Sequence, residues 1–266
     1  MKKDYFMNRQ KRRTKWDRTG IYVLPNLLTT CNLFCGFYSV IASFNGEFTR
    51  AAWAIVLAGV FDYLDGRVAR MSNAMSQFGV EYDSLTDFVS FGVAPGVMVY
   101  TWTLIPFGRV GWLAAFLFVA CAALRLARFN VNSTRVGLKY FEGLPSPGAG
   151  GMIAATILLA NHLGWNPEHK HIPVLLMTFY LSFMMISKIH FFSLKLLKLK
   201  GMSGFYTLVA LLCIIIIIAA EPQLSLFVIG LLYTLSGPLG LLKEKLGSAK
   251  SVQQPTPDKE EDLTAQ

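Results

Sequence analysis

Apolar runs alternate along this chain with short polar joints, and most of the runs approach the roughly 20 residues a helix needs to cross a hydrocarbon layer. The pattern predicts spans at 21–44, 50–72, 83–105, 109–130, 147–162, 172–192, 204–220 and 223–242. Helices are expected because backbone polar groups surrounded by lipid must be satisfied within their own segment. The run 147–162 is the shortest and is rich in glycine, and Ile214 to Ile218 is the most lipid-like stretch. The fold class that follows is all-α: a polytopic membrane helical bundle of about eight transmembrane helices.

Composition agrees with the pattern. Of 266 residues, 53% are hydrophobic and 15% charged, whereas soluble domains carry about 25% charged residues. The basic residues are unevenly placed. If the N-terminus is cytoplasmic, the outside joints hold only Arg50, Arg109 and Lys170 of the 25 lysines and arginines. The N-terminal cluster from Lys2 to Arg18, with Arg125, Arg128, Arg135, Lys139, Lys188, Lys195, Lys198, Lys200, Lys243 and Lys245, lies inside. That asymmetry puts both termini in the cytoplasm. Trp53, Trp102, Trp112 and Trp165 fall beside outside joints, where an interfacial aromatic belt is expected.

The first twenty residues read as a topology determinant. They lack the aromatic or helical reader that nucleic-acid binding needs, and the apolar run after them has no small-residue cleavage site. Cys31, Cys35, Cys121 and Cys213 sit within apolar runs without metal-ligand spacing and read as small apolar residues.

One region breaks the apolar rule repeatedly. Asp62, Asp65, Arg67 and Arg70 end the second run, and Glu81, Asp83 and Asp87 open the third. A charge inside a spanning helix costs about 2.5–3.5 kcal/mol on insertion scales, so each needs a compensating role. Asp62 and Asp65 are spaced to share one side of a helix, as are Asp83 and Asp87. The polar stretch from Met71 to Tyr82 is expected to be the joint that turns the third helix back antiparallel to the second. Both carboxylate pairs then meet just inside the cytoplasmic boundary.

Four carboxylates so placed repel unless they are protonated or share a multivalent cation. Oxygen ligands without nearby Cys or His favour Mg²⁺, Mn²⁺ or Ca²⁺ over zinc. Mg²⁺ commonly completes its coordination with substrate phosphates, so a diphosphate is the expected ligand class. Gly66 beside Asp65 and Gly79 ahead of Asp83 fit either close approach of that ligand or tight helix packing. Arg70 is spaced to hold a phosphate. An alternative class is a cation transporter or channel, whose spans also carry carboxylates. Against it, the charges gather at one membrane face.

Read together, Asp62-x-x-Asp65-Gly66-x-x-Ala69-Arg70 and Gly79-x-x-x-Asp83-x-x-x-Asp87 resemble the complete signature of the CDP-alcohol phosphatidyltransferase family. The resemblance implies that Asp62, Asp65 and Asp83 bind divalent metal, Mg²⁺ or Mn²⁺ and possibly two ions, with Asp87 sharing that role and serving as general base. It implies that Gly66, Ala69, Arg70 and Gly79 lie against the cytidine diphosphate. Asn26 and Asn32, in a first-helix pattern that also resembles the family, either contact the nucleotide or bond between helices. The family reaction displaces CMP from a CDP-lipid by an alcohol hydroxyl at the cytoplasmic face, here of the cell membrane.

The runs Asp83 to Pro95, Arg125 to Asn130 and Phe141 to Pro147 resemble the branch whose acceptor is L-serine and whose lipid is CDP-diacylglycerol. Glycerol phosphate and inositol phosphate are the alternative acceptors on the same scaffold. A serine carboxylate needs a cation, and Arg125, Arg128, Arg135 and Lys139 are the candidates; lipid-headgroup contact is the other reading of Arg125 and Arg128. The chain then divides into a basic segment 1–20, a catalytic helical domain 21–192, two further spans with a basic joint over 193–243, and a polar tail 244–266. A homodimer is expected from the resemblance alone.

Overall fold

Where apolar segments leave no water to satisfy the backbone, helical hydrogen bonds are the local solution, and the described chain is helical without a strand. A computed structural model describes the backbone of residues 2–72, 76–133, 143–165, 169–189 and 220–251, and the side chains of 23–72, 76–131, 143–165, 169–189 and 220–240. The expected span 204–220 therefore falls almost wholly outside the described residues, as do Arg135, Lys139, the lysines at 195, 198 and 200, and the tail beyond 251.

The helices are α1 (Lys2–Phe44), α2 (Phe48–Met71), α3 (Gln77–Asp87), α4 (Ala94–Val99), α5 (Arg109–Ser133), α6 (Ser146–His162), α7 (Ile172–Ile186) and α8 (Pro222–Ser251). Among the described residues, four segments are long and apolar enough to cross a membrane: Val23–Phe44, Gln77–Phe107, Arg109–Val131 and Pro222–Gly240. Ile172–Ile186 is a shorter apolar helix. α2 holds Asp62, Asp65, Arg67 and Arg70 in its last turns, and α6 has 17 residues.

Side-chain size is distributed as membrane packing requires. Small residues (Ala51, Ala52, Ala58, Ala114, Ala122 and Ala149) are buried between helices, while Phe34, Phe37, Phe116 and Phe183 are each more than half exposed. Lipid is as apolar as these aromatics, so helices associate through close backbone approach and leave bulky side chains outside.

Two expectations change. The joint between the second and third runs is much shorter than Met71 to Tyr82, because α3 already begins at Gln77. Ser76 caps it, its Oγ accepting from the Gly79 N–H at 3.0 Å; a hydroxyl that satisfies an orphan amide starts a helix early. Trp102 also departs from the interfacial belt: it is 1% exposed and stacks on His171, with ring centroids 5.6 Å apart. Trp53, Trp112 and Trp165 remain exposed. Helix α1 runs from Lys2 through the basic segment 1–20.

α3 passes into α4 through a π-helical turn, Phe88–Val93. Pro95 lies just beyond it and has no amide hydrogen for the Phe91 carbonyl, so the wider turn is the local relief. Two glycines from other helices press on this turn. At Gly36 of α1, a Cβ would collide with Ser90, whose Oγ donates to the Asn32 carbonyl at 3.0 Å. At Gly150 of α6, a Cβ would lie 3.0 Å from the Phe91 carbonyl oxygen. The turn that follows Asp87 is thus clamped from both sides. Gly36→Val is expected to cost about 1–3 kcal/mol through overpacking, read as a lowered thermal midpoint of the detergent-solubilised protein.

Candidate active site

α1 packs along both α2 and α3, and it brings their acidic ends to one place. Carboxylate oxygens of Asp62, Asp83 and Asp87 all lie within 4.8 Å of one another. Asp65, 4% exposed, stands beside them and accepts from the Thr29 Oγ1 at 2.8 Å. Asn32 is fully buried and donates its Nδ2 to Asp87 Oδ1 at 3.3 Å. α1 therefore supplies the polar partners that two of the four carboxylates use, one helical turn apart.

The donor set fits a divalent cation. Three oxygens from two helices converge, and Asp83 Oδ1 is buried with no hydrogen-bond partner among the described residues. A buried acceptor without a donor costs about 1–3 kcal/mol, more when charged, unless something absent from the protein fills the position. Hard, oxygen-only ligands are what Mg²⁺ and Mn²⁺ prefer.

The flanking residues predicted from the sequence divide. Asn26 reaches Gly79: a Cβ on that glycine would lie 3.5 Å from Asn26 Oδ1 and 3.1 Å from Ser76 Oγ. Gly66 faces open space, where an added Cβ would meet only Arg70 Nη2, at 3.8 Å. Arg70 itself is exposed, and Arg67 donates to the Tyr63 hydroxyl at 2.9 Å. The Ala69 carbonyl lies 3.4 Å from Ser72 Oγ.

The two arginines of α5 have different surroundings. Arg125 donates its Nη1 to Ser146 Oγ at 2.9 Å and is near enough to Asp87 to interact electrostatically. Its Nε is buried without a partner among the described residues. Arg128 instead donates its Nη1 to the Ile186 carbonyl at 3.2 Å, at the end of α7.

Some site residues carry no advance signal in the sequence. Ser84 Oγ donates to Asn130 Oδ1 at 3.1 Å, and Asn130 Nδ2 donates to Glu81 Oε2 at 3.4 Å, tying α3 to α5. Thr30 and Tyr82 share a hydrogen bond at 3.0 Å. Ser84 and Tyr82 could not have been singled out, because serine and tyrosine near a membrane surface are ordinary. Thr29 and Ser146 are different, being hydroxyls within the runs Pro25 to Thr29 and Phe141 to Pro147.

The matching family profile, CDP-alcohol phosphatidyltransferase, extends over residues 22–236. The chain belongs to the CDP-alcohol phosphatidyltransferase family. A CDP-diacylglycerol–serine O-phosphatidyltransferase of Helicobacter pylori is 34% identical over 210 residues, covering 78% of this chain and 86% of the relative. An archaetidylserine synthase of Methanothermobacter thermautotrophicus is 39% identical over 142 residues, 53% of this chain and 60% of the relative. A CDP-diacylglycerol–serine O-phosphatidyltransferase of Saccharomyces cerevisiae is 40% identical over 144 residues, 47% and 49% of the two chains.

Membership in the phosphatidyltransferase family sets aside the ion-pathway alternative, and the converged aspartates are compatible with metal binding. The family match reaches into α8. Because Arg128 supports the end of α7, Arg128→Leu is expected to cost about 1 kcal/mol. Thermal unfolding in detergent would register the loss.

Proposed function

We propose that this chain transfers the phosphatidyl group of CDP-diacylglycerol to the hydroxyl of L-serine, releasing CMP. The observation that carries the reading is the convergence of Asp62, Asp83 and Asp87 within 4.8 Å in a member of this family. The acceptor rests on the relatives' shared serine specificity and on the partly unpaired guanidinium of Arg125 beside the acidic cluster.

Asp62, Asp65, Asp83 and Asp87 would hold Mg²⁺ or Mn²⁺, one ion or two. Such an ion supplies charge neutralisation of the diphosphate and stabilisation of the departing CMP. Gly66 and Gly79, with Ala69, Arg70 and the α1 residues Asn26 and Asn32, line the place given to the cytidine diphosphate. The open space at Gly66 and the exposed Arg70 support a phosphate there.

Asp87 takes the proton as the serine oxygen bonds to the phosphorus attached to diacylglycerol, and the bond from that phosphorus to the CMP oxygen breaks. Asn32 holds the Asp87 carboxylate through its amide, fixing the orientation of the base. Arg125 holds the serine carboxylate, which a planar, permanently charged fork does better than an ammonium. Arg135 and Lys139 remain acceptor candidates from their sequence positions, and Arg128 is the weaker one, since its fork is engaged by α7.

The chain sits in the cell membrane with eight spans, both termini in the cytoplasm and the site on that side. The supporting observation is the scarcity of Lys and Arg in the alternate joints. The homodimer carries over as an expectation of the family.

Purified protein supplied with CDP-diacylglycerol and, separately, serine, glycerol phosphate and inositol phosphate is expected to form product with serine alone. Product from glycerol phosphate and none from serine would overturn the acceptor. EDTA should stop turnover and Mg²⁺ or Mn²⁺ restore it. In the same assay Asp87→Asn should lower kcat by about 10²-fold or more while CDP-lipid binding stays measurable; a turnover near wild type would remove the base assignment.

A further inference from the structure

The last described helix, α8, has so far appeared only as a membrane anchor, yet one of its side chains reaches the acceptor side of the site. Tyr233 packs against the first turn of α6, where a Cβ on Gly148 would lie 2.9 Å from its Cε1 and 3.4 Å from its Cδ1. Contacts below 3.0 Å do not occur for real Cβ atoms, so the glycine leaves the seat the ring occupies. Two residues earlier in the same turn, Ser146 holds Arg125 Nη1 at 2.9 Å. Tyr233 and Arg125 are close enough to interact electrostatically. Arg125, Ser146, Gly148 and Tyr233 thus bring α5, α6 and α8 to one point.

The guanidinium needs such a frame. An arginine side chain carries about 2 kcal/mol of rotamer entropy, and a carboxylate is bound bidentately only when the plane of the fork is set. Ser146 restrains one nitrogen and leaves the opposite edge, with the unpartnered Nε, for a ligand. A flat ring seated on Gly148 fixes the turn that carries Ser146, and through Ser146 it restricts the remaining rotation of the fork.

We propose that Tyr233 is a positioning residue for acceptor specificity: seated against Gly148, its ring holds the α6 turn from which Ser146 orients the Arg125 guanidinium toward the carboxylate of an amino-acid acceptor. The inference rests on the reading of Arg125 given above. It makes α8 part of the acceptor pocket, in keeping with a family match that extends to residue 236.

The test is steady-state kinetics of the full-length protein with serine and CDP-diacylglycerol varied independently. Tyr233→Leu removes the ring, and Gly148→Ala displaces it from a second direction. Each is expected to raise the serine KM about tenfold with kcat and the CDP-lipid KM within about twofold. Tyr233→Phe, which keeps the ring, should restore the wild-type serine KM. Because Tyr233 acts through Arg125, neither change should raise the serine KM further in an Arg125→Gln background.

If Arg125→Gln raises the serine KM while Tyr233→Leu and Gly148→Ala do not, the role of Tyr233 is overturned and that of Arg125 stands. If Arg125→Gln leaves the serine KM unchanged, the acceptor reading itself fails, and this inference with it. Equal rises in the KM of both substrates would mark Tyr233 as merely structural and also overturn the proposal.

Discussion

Four carboxylates held close together in an apolar bundle repel one another and lose the hydration that would otherwise disperse their charge. That electrostatic tension organises the rest of the molecule. Asp62, Asp83 and Asp87 stand within 4.8 Å of each other, close enough that a shared proton or a cation is needed between them. α1 answers part of it: Thr29 donates to Asp65 and Asn32 donates to Asp87. The buried, unpartnered Asp83 Oδ1 marks what is left over among the described residues. A divalent cation with a diphosphate, as proposed above, would complete the balance.

Holding the cluster together requires backbone that does not yield. The π-helical turn after Asp87 interrupts the third rod where Pro95 forbids an ordinary helical bond, and Gly36 and Gly150 bring α1 and α6 directly against it. Nothing larger than hydrogen fits at Gly36, and at Gly150 a Cβ would press tightly on the turn. The same logic of small residues inside and large ones outside runs through the bundle, because lipid offers no hydrophobic drive for helices to associate. The Ser90 hydroxyl, bonded to the Asn32 carbonyl, links this packing to the site: the residue that holds Asp87 is itself held by the turn that follows Asp87.

The region around Arg125, proposed for the acceptor, is built on a different principle. Arg125 is restrained by Ser146 at the start of α6, and α6 is held there by the residues just before it. Gly143, at a φ of +83°, lets its N–H donate to the Ile189 carbonyl at 2.9 Å. Leu144 then bonds to the Met184 carbonyl at 3.0 Å and is completely buried. The described residues Gly143 and Leu144 therefore work as a bracket, docking α6 on the end of α7 so that the Ser146 hydroxyl meets an arginine from α5. Chemistry and scaffold share the same short segment.

Hydropathy and spacing were enough to predict helices, the acidic cluster and its metal-binding character. Those properties depend on local periodicity and on the high cost of charge in lipid, both written residue by residue. The aspartate spacing placed Asp62 with Asp65 and Asp83 with Asp87 on their own helices, and it carried the family. Local pattern singled out Asn32 but left open whether it meets the nucleotide or another helix, and neither its bond to Asp87 nor that of Thr29 to Asp65 exists until α1 lies against α2 and α3. Nor could it separate Arg125 from Arg128, three positions apart on one helix, since the distinction comes from α6 and α7. The early start of α3 and the burial of Trp102 likewise follow from a cap and a stacking partner, His171, distant in sequence. Helices, charges and reaction class are thus legible in the linear chain. The partners of those charges belong to the packed bundle, because a hydrogen bond between helices is a property of their packing and of neither helix alone.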